Sequence, residues 1–444
     1  MKLLRELNKA FQKHLLLNTK PSTLWKVIRF FIHWLTLPLK IVLIGSLGLF
    51  QILKYSFKDK RKPHGSGNVK FSARNVFDSL PVMKHENYWL YLCRNSTQHA
   101  LNGRHHNSDH QASRHGTYTF LATKLGLLND NIISGLGSHL LGNYICRGYT
   151  IDDIGMTHYN MSSVSGDMLC GLALGLNCLP DKPLEIKYET LIASIVNNDY
   201  ALKEFDNPMS GDDGILKEIF DERLKEVNYD KFELNMKSNR ATWSPGIETV
   251  GAQALTVLAA LRVSDAKFND PLARKHYKKL LWKYGYGLLS LFPTAYIDSR
   301  RGYFNEHNCI MALHILAKNA EHRWFWFLPM LYVWALSKHW NNMYFTGLFI
   351  DAYPFMKKYL TNHIEECEAY LSEVESLNDV ITRYSDVQEL SSEVNPVPID
   401  IVYDDEFYPD IRRDVFTIPL GDNKHYAGLG FLADLTMLEV IKNG

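Results

Sequence analysis

The stretch Met156–Leu176, MTHYNMSSVSGDMLCGLALGL, decides the fold. It begins with the hydrogen-bonding side chains Thr157, His158, Tyr159 and Asn160, then passes through Ser165-Gly166-Asp167 into small and apolar residues. Ser and Asp side chains accept from the free N–H groups of a first helical turn, so they mark a helix start. Leu169, Leu172, Ala173 and Leu176 follow at helical spacing. Gly171 and Gly175 lower helix propensity and belong where a second helix must come close. The stretch predicts a buried helix with its polar start turned toward a site.

The same order recurs along the chain. Arg240–Arg262 has a polar, aromatic lead-in with Trp243, then Pro245 and Glu248, then a small-residue apolar run. Arg301–Lys318 opens on Arg301 and Tyr303 and carries Glu306, His307 and Asn308 at its start, and Trp340–Tyr353 opens on Trp340, Asn341 and Asn342. Between them lie helical patterns of another character: Tyr188–Asn198, Ala273–Leu291, Trp324–Ser337 and Phe355–Leu371. The alternation predicts antiparallel helix hairpins whose inner helices all start at one end.

Composition sets outer limits. The chain has 444 residues, 46% hydrophobic, with a formal net charge of +1. That balance gives no electrostatic case for nucleic acid. Aromatic residues reach 12%, and Tyr and Trp crowd the polar lead-ins, which suits a sugar or another flat-faced ligand. The six cysteines show no close-paired metal spacing and fall mostly in apolar helical patterns, so no disulfide framework is expected.

Residues 1–62 form a basic leader followed by the most apolar region, Leu24–Phe57. Leu35–Leu53 approaches the length that spans a bilayer, so this segment is expected to attach the chain to a membrane, as a single span or lying in the interface. Basic residues flank both sides, which leaves the orientation open. Residues 63–78 read as a linker around Pro63–Asn68, and 79–371 as the helical body, with a first helix at Ser79–Cys93 and two more near Thr117–Leu127 and Asn131–Cys146. The Tyr200–Ser244 stretch is a polar loop with a short charged helix near Ile215–Val227. Residues 372–444 read as an acidic linker and an extended, β-like tail. The Trp324–Trp334 run, too short to span a bilayer, reads as a buried or membrane-facing outer helix.

Helix starts brought to one mouth would gather Asp167, Glu248 and Glu306-His307. Two carboxylates at one mouth meet the requirement for glycosidic cleavage, one protonating the leaving oxygen and the other activating water or attacking. Glu248, beside Trp243 and Pro245, is expected to be the general acid and Asp167 the base or nucleophile. His158, Tyr159, Asn160, Trp243, Arg301, Tyr303, Asn308, Trp340, Asn341 and Asn342 would bind substrate. A His or Tyr base with Arg or Asn against a uronate would instead suit a polysaccharide lyase. First-turn acids also serve as plain helix caps. Arg94–His115 holds His99, His105, His106, His110 and His115. Its spacing matches no zinc pattern, so a solvated, ligand-contacting loop is expected, with no metal and no cofactor.

At Ser165-Gly166-Asp167, Trp243–Glu248 and Glu306–Asn308 the chain resembles the (α/α)-toroid glycosidases and polysaccharide lyases. The resemblance covers roughly residues 79–371 and is architectural. It implies a mainly α fold, an (α/α) toroid of antiparallel hairpins, acting on a glycan or other substrate in a central funnel. The N-terminal membrane segment departs from most such enzymes. Two other functions fit the same pattern: a non-catalytic binding toroid at the membrane, and a lipid- or isoprenoid-processing enzyme, for which Asp212-Asp213 is the adjacent acidic pair.

Overall fold

The computed structural model describes residues 65–79, 82–84, 89–91, 105–107, 111–146, 148–151, 157–160, 166–197, 200, 202–203, 215–217, 238–239, 252–283, 302–337, 342–373, 418–420, 424–426 and 428–444, together with Phe31, Leu35, Pro38, Leu39, Val42 and Ser46. Over these the protein is mainly helical. The α-helices are α1 (Ala73–Ser79), α2 (Gln111–Lys124), α3 (Asp130–Gly137), α4 (Gly166–Cys178), α5 (Glu185–Asn197), α6 (Ala252–Phe268), α7 (Pro271–Lys278), α8 (Gly302–Asn319), α9 (Phe327–Ser337), α10 (Met343–Ala352), α11 (Thr361–Ser372) and α12 (Gly428–Asn443). Short 3-10 turns at Arg323–Trp326 and Pro354–Tyr359 and a π-helical turn at Lys279–Lys283 join or extend them.

The even-numbered helices are buried around most of their circumference, and all but α2, which buries Ser113, Arg114, His115, Thr117 and Thr119, are mainly apolar. Each packs against the next, α2 on α4, α4 on α6, α6 on α8, α8 on α10 and α10 on α12, and α12 packs back on α2. They run in one direction. Ser113 of α2 meets Gly171 of α4 near their starts, and Thr123 Oγ1 lies 3.5 Å from Cys178 Sγ near their ends. Cys170 Sγ donates to Asn308 O at 3.5 Å within the first two turns of α4 and α8, and Asn319 Nδ2 donates to Asn177 Oδ1 at 2.6 Å at their far ends. Tyr344 N donates to Asp434 Oδ1 at 2.6 Å, and Gly347 faces Met437 one turn later, so α10 and α12 are parallel too. Lys267 Nζ donates to Leu179 O, joining the ends of α6 and α4. Of the odd-numbered helices, α3, α5, α7, α9 and α11 pack on the even helices beside them, and α1 packs on α12.

Glycine sets the closest approach. A Cβ at Gly116 would stand 1.8 Å from Gly171 O, and one at Gly171 would stand 2.4 Å from Ser113 Cα. Only hydrogen fits there, which is why Gly171 and Gly175 persist inside a helix.

The strands are short. The described β-structure is a four-stranded antiparallel sheet in the order β3 (His105–Asn107), β6 (Gly148–Ile151), β7 (Thr157–Asn160), β9 (Ile215–Lys217), with hairpins formed by β1 (Val82–Lys84) and β2 (Trp89–Tyr91), by β4 (Leu140–Leu141) and β5 (Tyr144–Ile145), and by β11 (Ile418–Leu420) and β12 (Lys424–Tyr426), and a pair of β8 (Leu202–Lys203) with β10 (Ser238–Asn239).

Five sequence expectations change, the first being Asn131–Cys146, which is helical only to Gly137 and then forms the β4–β5 hairpin. Within Ser79–Cys93, Ser79 ends α1 and the other described residues form a β-hairpin, in which Val82, Met83 and Lys84 pair with Tyr91, Leu90 and Trp89. The described start of the charged stretch after Ser210, Ile215–Lys217, is a strand. The last residues are a core helix instead of an extended tail: Phe431, Leu432, Leu435 and Met437 of α12 are buried. The histidine-rich stretch ends inside α2, whose buried residues begin at Ala112, so His115 is a core residue and not part of a solvated loop. Short polar side chains there hide a helix that is buried from its first turn. His99 and His110, like Asp212-Asp213, lie outside the described residues. No helix among the described residues is long and apolar enough to cross a membrane, and most of 1–62 lies outside them.

Candidate functional site

Parallel helices put their starts, with their partial positive charge and free N–H groups, at one end of the molecule. Gly166-Asp167 open α4, while Tyr303, Glu306, His307 and Asn308 occupy the first two turns of α8. The Cys170–Asn308 contact sets these two starts side by side. The backbones of Asp167 and Glu306, three and two residues earlier, therefore lie on adjacent helices at a similar level. Only the backbone positions of Asp167, Tyr303, Glu306 and His307 are described. His158, Tyr159 and Asn160 lie on β7, opposite Thr150, Tyr149 and Gly148 of β6 and Lys217, Leu216 and Ile215 of β9. Trp243, Glu248, Arg301, Trp340 and Asn341 lie outside the described residues.

Below those starts is a buried polar layer. Asn342 caps α10, its side-chain oxygen accepting from Phe345 N at 2.9 Å. Asp434 accepts from Tyr344 N. Asn308 is 4% exposed and its Oδ1 has no hydrogen-bond partner among the described residues. Arg114 on α2 is as deeply buried. Burial pushes the Tyr344 phenol far above its ordinary pKa, with Thr117 opposing, so it stays protonated. Arg114, Thr117 and Asp434 were not singled out by the sequence pattern. A lone acid inside the apolar run GLGFLADLTML is the signal that would have found Asp434.

A second polar cluster closes the opposite end. Asp351, at the end of α10, accepts from Lys124 Nζ at 2.7 Å and His314 Nε2 at 2.7 Å, with Lys318 Nζ at 3.4 Å. Burial works against the Asp351 charge, and the His314 hydrogen bond and Lys124 outweigh it, holding the carboxyl well below the usual range. His314 itself is pushed down by burial despite Asp351. The pair therefore rests as carboxylate and neutral imidazole, with the ring N–H donating. These groups tie together the last turns of α2, α8 and α10, where cations also suit the helix ends.

Among the described residues no group of three His, Cys, Asp or Glu side chains is gathered to hold a metal ion. Comparison with known proteins gives no match: no family model, no curated protein and no solved structure matches the chain.

Proposed function

We propose that the two sets of helices form an (α/α) toroid, and that the chain is a membrane-attached carbohydrate-active enzyme whose cleft opens where α4, α6, α8 and α10 begin. The observation that carries this reading is the Cys170–Asn308 contact between parallel helix starts. It supports bringing Asp167 and Glu306-His307 to one mouth, above a layer that keeps one acceptor, Asn308 Oδ1, uncommitted. In this reading Glu248 protonates the glycosidic oxygen and Asp167 activates water or attacks the anomeric carbon. Glu306-His307 hold the sugar, with Tyr303 and Trp243 offering flat apolar faces. The Leu24–Phe57 segment brings the enzyme to a membrane, and of its six described residues Phe31, Leu35, Leu39 and Val42 are large exposed apolar side chains.

The test is turnover of a panel of neutral and uronate polysaccharides by the full chain. Glu248→Gln and Asp167→Asn should each abolish turnover of whichever glycan is cleaved while leaving thermal unfolding nearly unchanged. New reducing ends without an unsaturated product would identify a hydrolase, and an unsaturated uronate a lyase. A second reading has its own support, since Asn342 and Asp434 already serve backbone N–H groups as caps. If glycan binds without turnover and both carboxylate variants bind as well as the natural chain, the protein is a non-catalytic receptor.

A further inference from the structure

The end of the molecule opposite the helix starts carries an exposed apolar surface. Trp324 and Leu328 are 57% and 56% exposed, Trp282 is 58% exposed, and Phe355 and Tyr359 also face outward. Trp324, Phe355 and Trp282 each take part in ring contacts there. Trp324 stacks obliquely on Phe355 at 5.4 Å and meets Phe327 edge-on at 5.7 Å, while Trp282 meets Phe325 at 5.7 Å. The surface is held from beneath: Tyr353 O–H donates to Arg323 O at 2.6 Å, and its buried ring meets Phe327 at 5.0 Å. Isolated exposed hydrophobics need no explanation, but a rigidly backed aromatic cluster such as Trp324 with Phe355 marks an interaction site.

Its rim is cationic. Arg323 lies over the Trp324 ring at 5.8 Å and Lys358 over Tyr359 at 4.7 Å, with Lys357 adjacent. Glu321 is the acidic residue closest in the chain, so positive charge prevails. Exposed indoles and phenols beside Lys and Arg are the chemistry of a membrane–water interface, where the rings seat at headgroup depth and the cations face anionic lipid.

The course of the chain points to the same end. Ala73 N donates to Glu439 Oε1 at 2.7 Å, in the last turns of α12. Because the even-numbered helices are parallel, those turns lie toward the end from which Asn319 leads to Trp324 and Ala352 leads to Phe355. The described chain therefore joins the helical body, at Ala73, toward the end that carries the aromatic surface.

We propose that this surface, formed by Trp282, Trp324, Leu328, Phe355 and Tyr359 with Arg323, Lys357 and Lys358, is a second membrane contact that lies on an anionic lipid interface. The proposal rests on the membrane attachment in the reading above and adds an orientation: the helix starts, and the cleft with them, face away from the bilayer into water. Such a contact suits a polymer substrate approaching from the aqueous side.

The test uses the full chain on vesicles of brominated phosphatidylcholine with phosphatidylglycerol, compared with unbrominated vesicles. Subtracting the emission of the Trp282→Phe/Trp324→Phe variant from that of the natural chain isolates the two surface indoles. Most of that difference emission should be lost to bromine quenching, and replacing Arg323, Lys357 and Lys358 with Gln should restore it. Flotation with undiminished difference emission would overturn the surface contact while leaving the N-terminal attachment standing. No flotation at all would overturn both. Self-association in sedimentation that the double variant abolishes, without quenching, would assign the surface to a second copy of the chain and overturn the lipid proposal.

Discussion

His139 Nδ1 stands 2.9 Å from Cys146 O, a carbonyl that can only accept, so this nitrogen carries the proton. His139 Nε2 must then accept, and His115 Nδ1 donates to it at 3.1 Å. His115 Nε2 is left as a buried lone pair with no hydrogen-bond partner. A further proton on either ring has no place to go. Burial lowers both pKa values, His139 to about 4 and His115 well below its ordinary value, where His139 adds to the effect. The unfolded chain takes up these protons near pH 6.5, so it binds more of them than the folded chain, and stability rises with pH between about 4 and 6.5. For His139 alone the depression is worth on the order of 3 kcal/mol. Denaturant unfolding across that range should show the slope, and the His115→Leu/His139→Leu variant should flatten it. A stability that does not change between pH 4 and 6.5 would refute the neutral pair.

Helix α4 shows what was legible and what was not. Its small residues announced a close neighbour, yet nothing in the sequence named α2 as that neighbour, because Gly116 falls between the histidine-rich run that read as loop and the helix expected from Thr117. The structure makes Gly116 and Gly171 a matched pair, and the consequence can be measured. Gly171→Ala and Gly116→Ala should each destabilise by more than about 2 kcal/mol, since a backbone atom blocks the new methyl group and the helices must part. Gly175→Ala should cost less, because its new Cβ would approach Gly116 Cα only to 2.9 Å. Chemical denaturation of the three variants gives the ordering, and equal costs would mean that α2 and α4 part freely. At the far ends of the same helices, Asp351→Asn should cost about 2 kcal/mol near neutral pH, because Lys124 and His314 lose a half-buried partner. The folded Asp351 pKa is depressed, so its contribution is present above the unfolded value near 4 and disappears as pH falls below it. The natural chain and Asp351→Asn should therefore converge in stability toward strongly acidic pH.

At the scale of the molecule, the helical character was readable because most of the buried helices are apolar runs wherever they lie in the chain, α2 with its buried polar residues being the exception. Closure was not readable, because it depends on a contact between distant parts of the sequence. Helix α12 begins more than fifty residues after α11 ends, past an acidic stretch that read as a linker, and then packs on α10, α11, α1 and α2. Asp434 supplies the cap for Tyr344 N, and Met437 fills the space that Gly347 leaves open. Removing residues 428–444 would uncover both neighbouring helices and withdraw Phe431, Leu432, Leu435 and Leu438 from the core. The apolar loss alone is of the order of several kcal/mol, comparable with the whole stability of a domain. The truncated chain should therefore lose its cooperative thermal transition. Removing residues 1–62 should not, because the described ties of the chain's start to the body, Gly67 N to Ser372 Oγ and Ala73 N to Glu439 Oε1, lie beyond that cut. Thermal unfolding followed by circular dichroism separates the two truncations. If the C-terminal deletion keeps a cooperative transition while the N-terminal one loses it, α12 does not close the helical body and the leader belongs to the core.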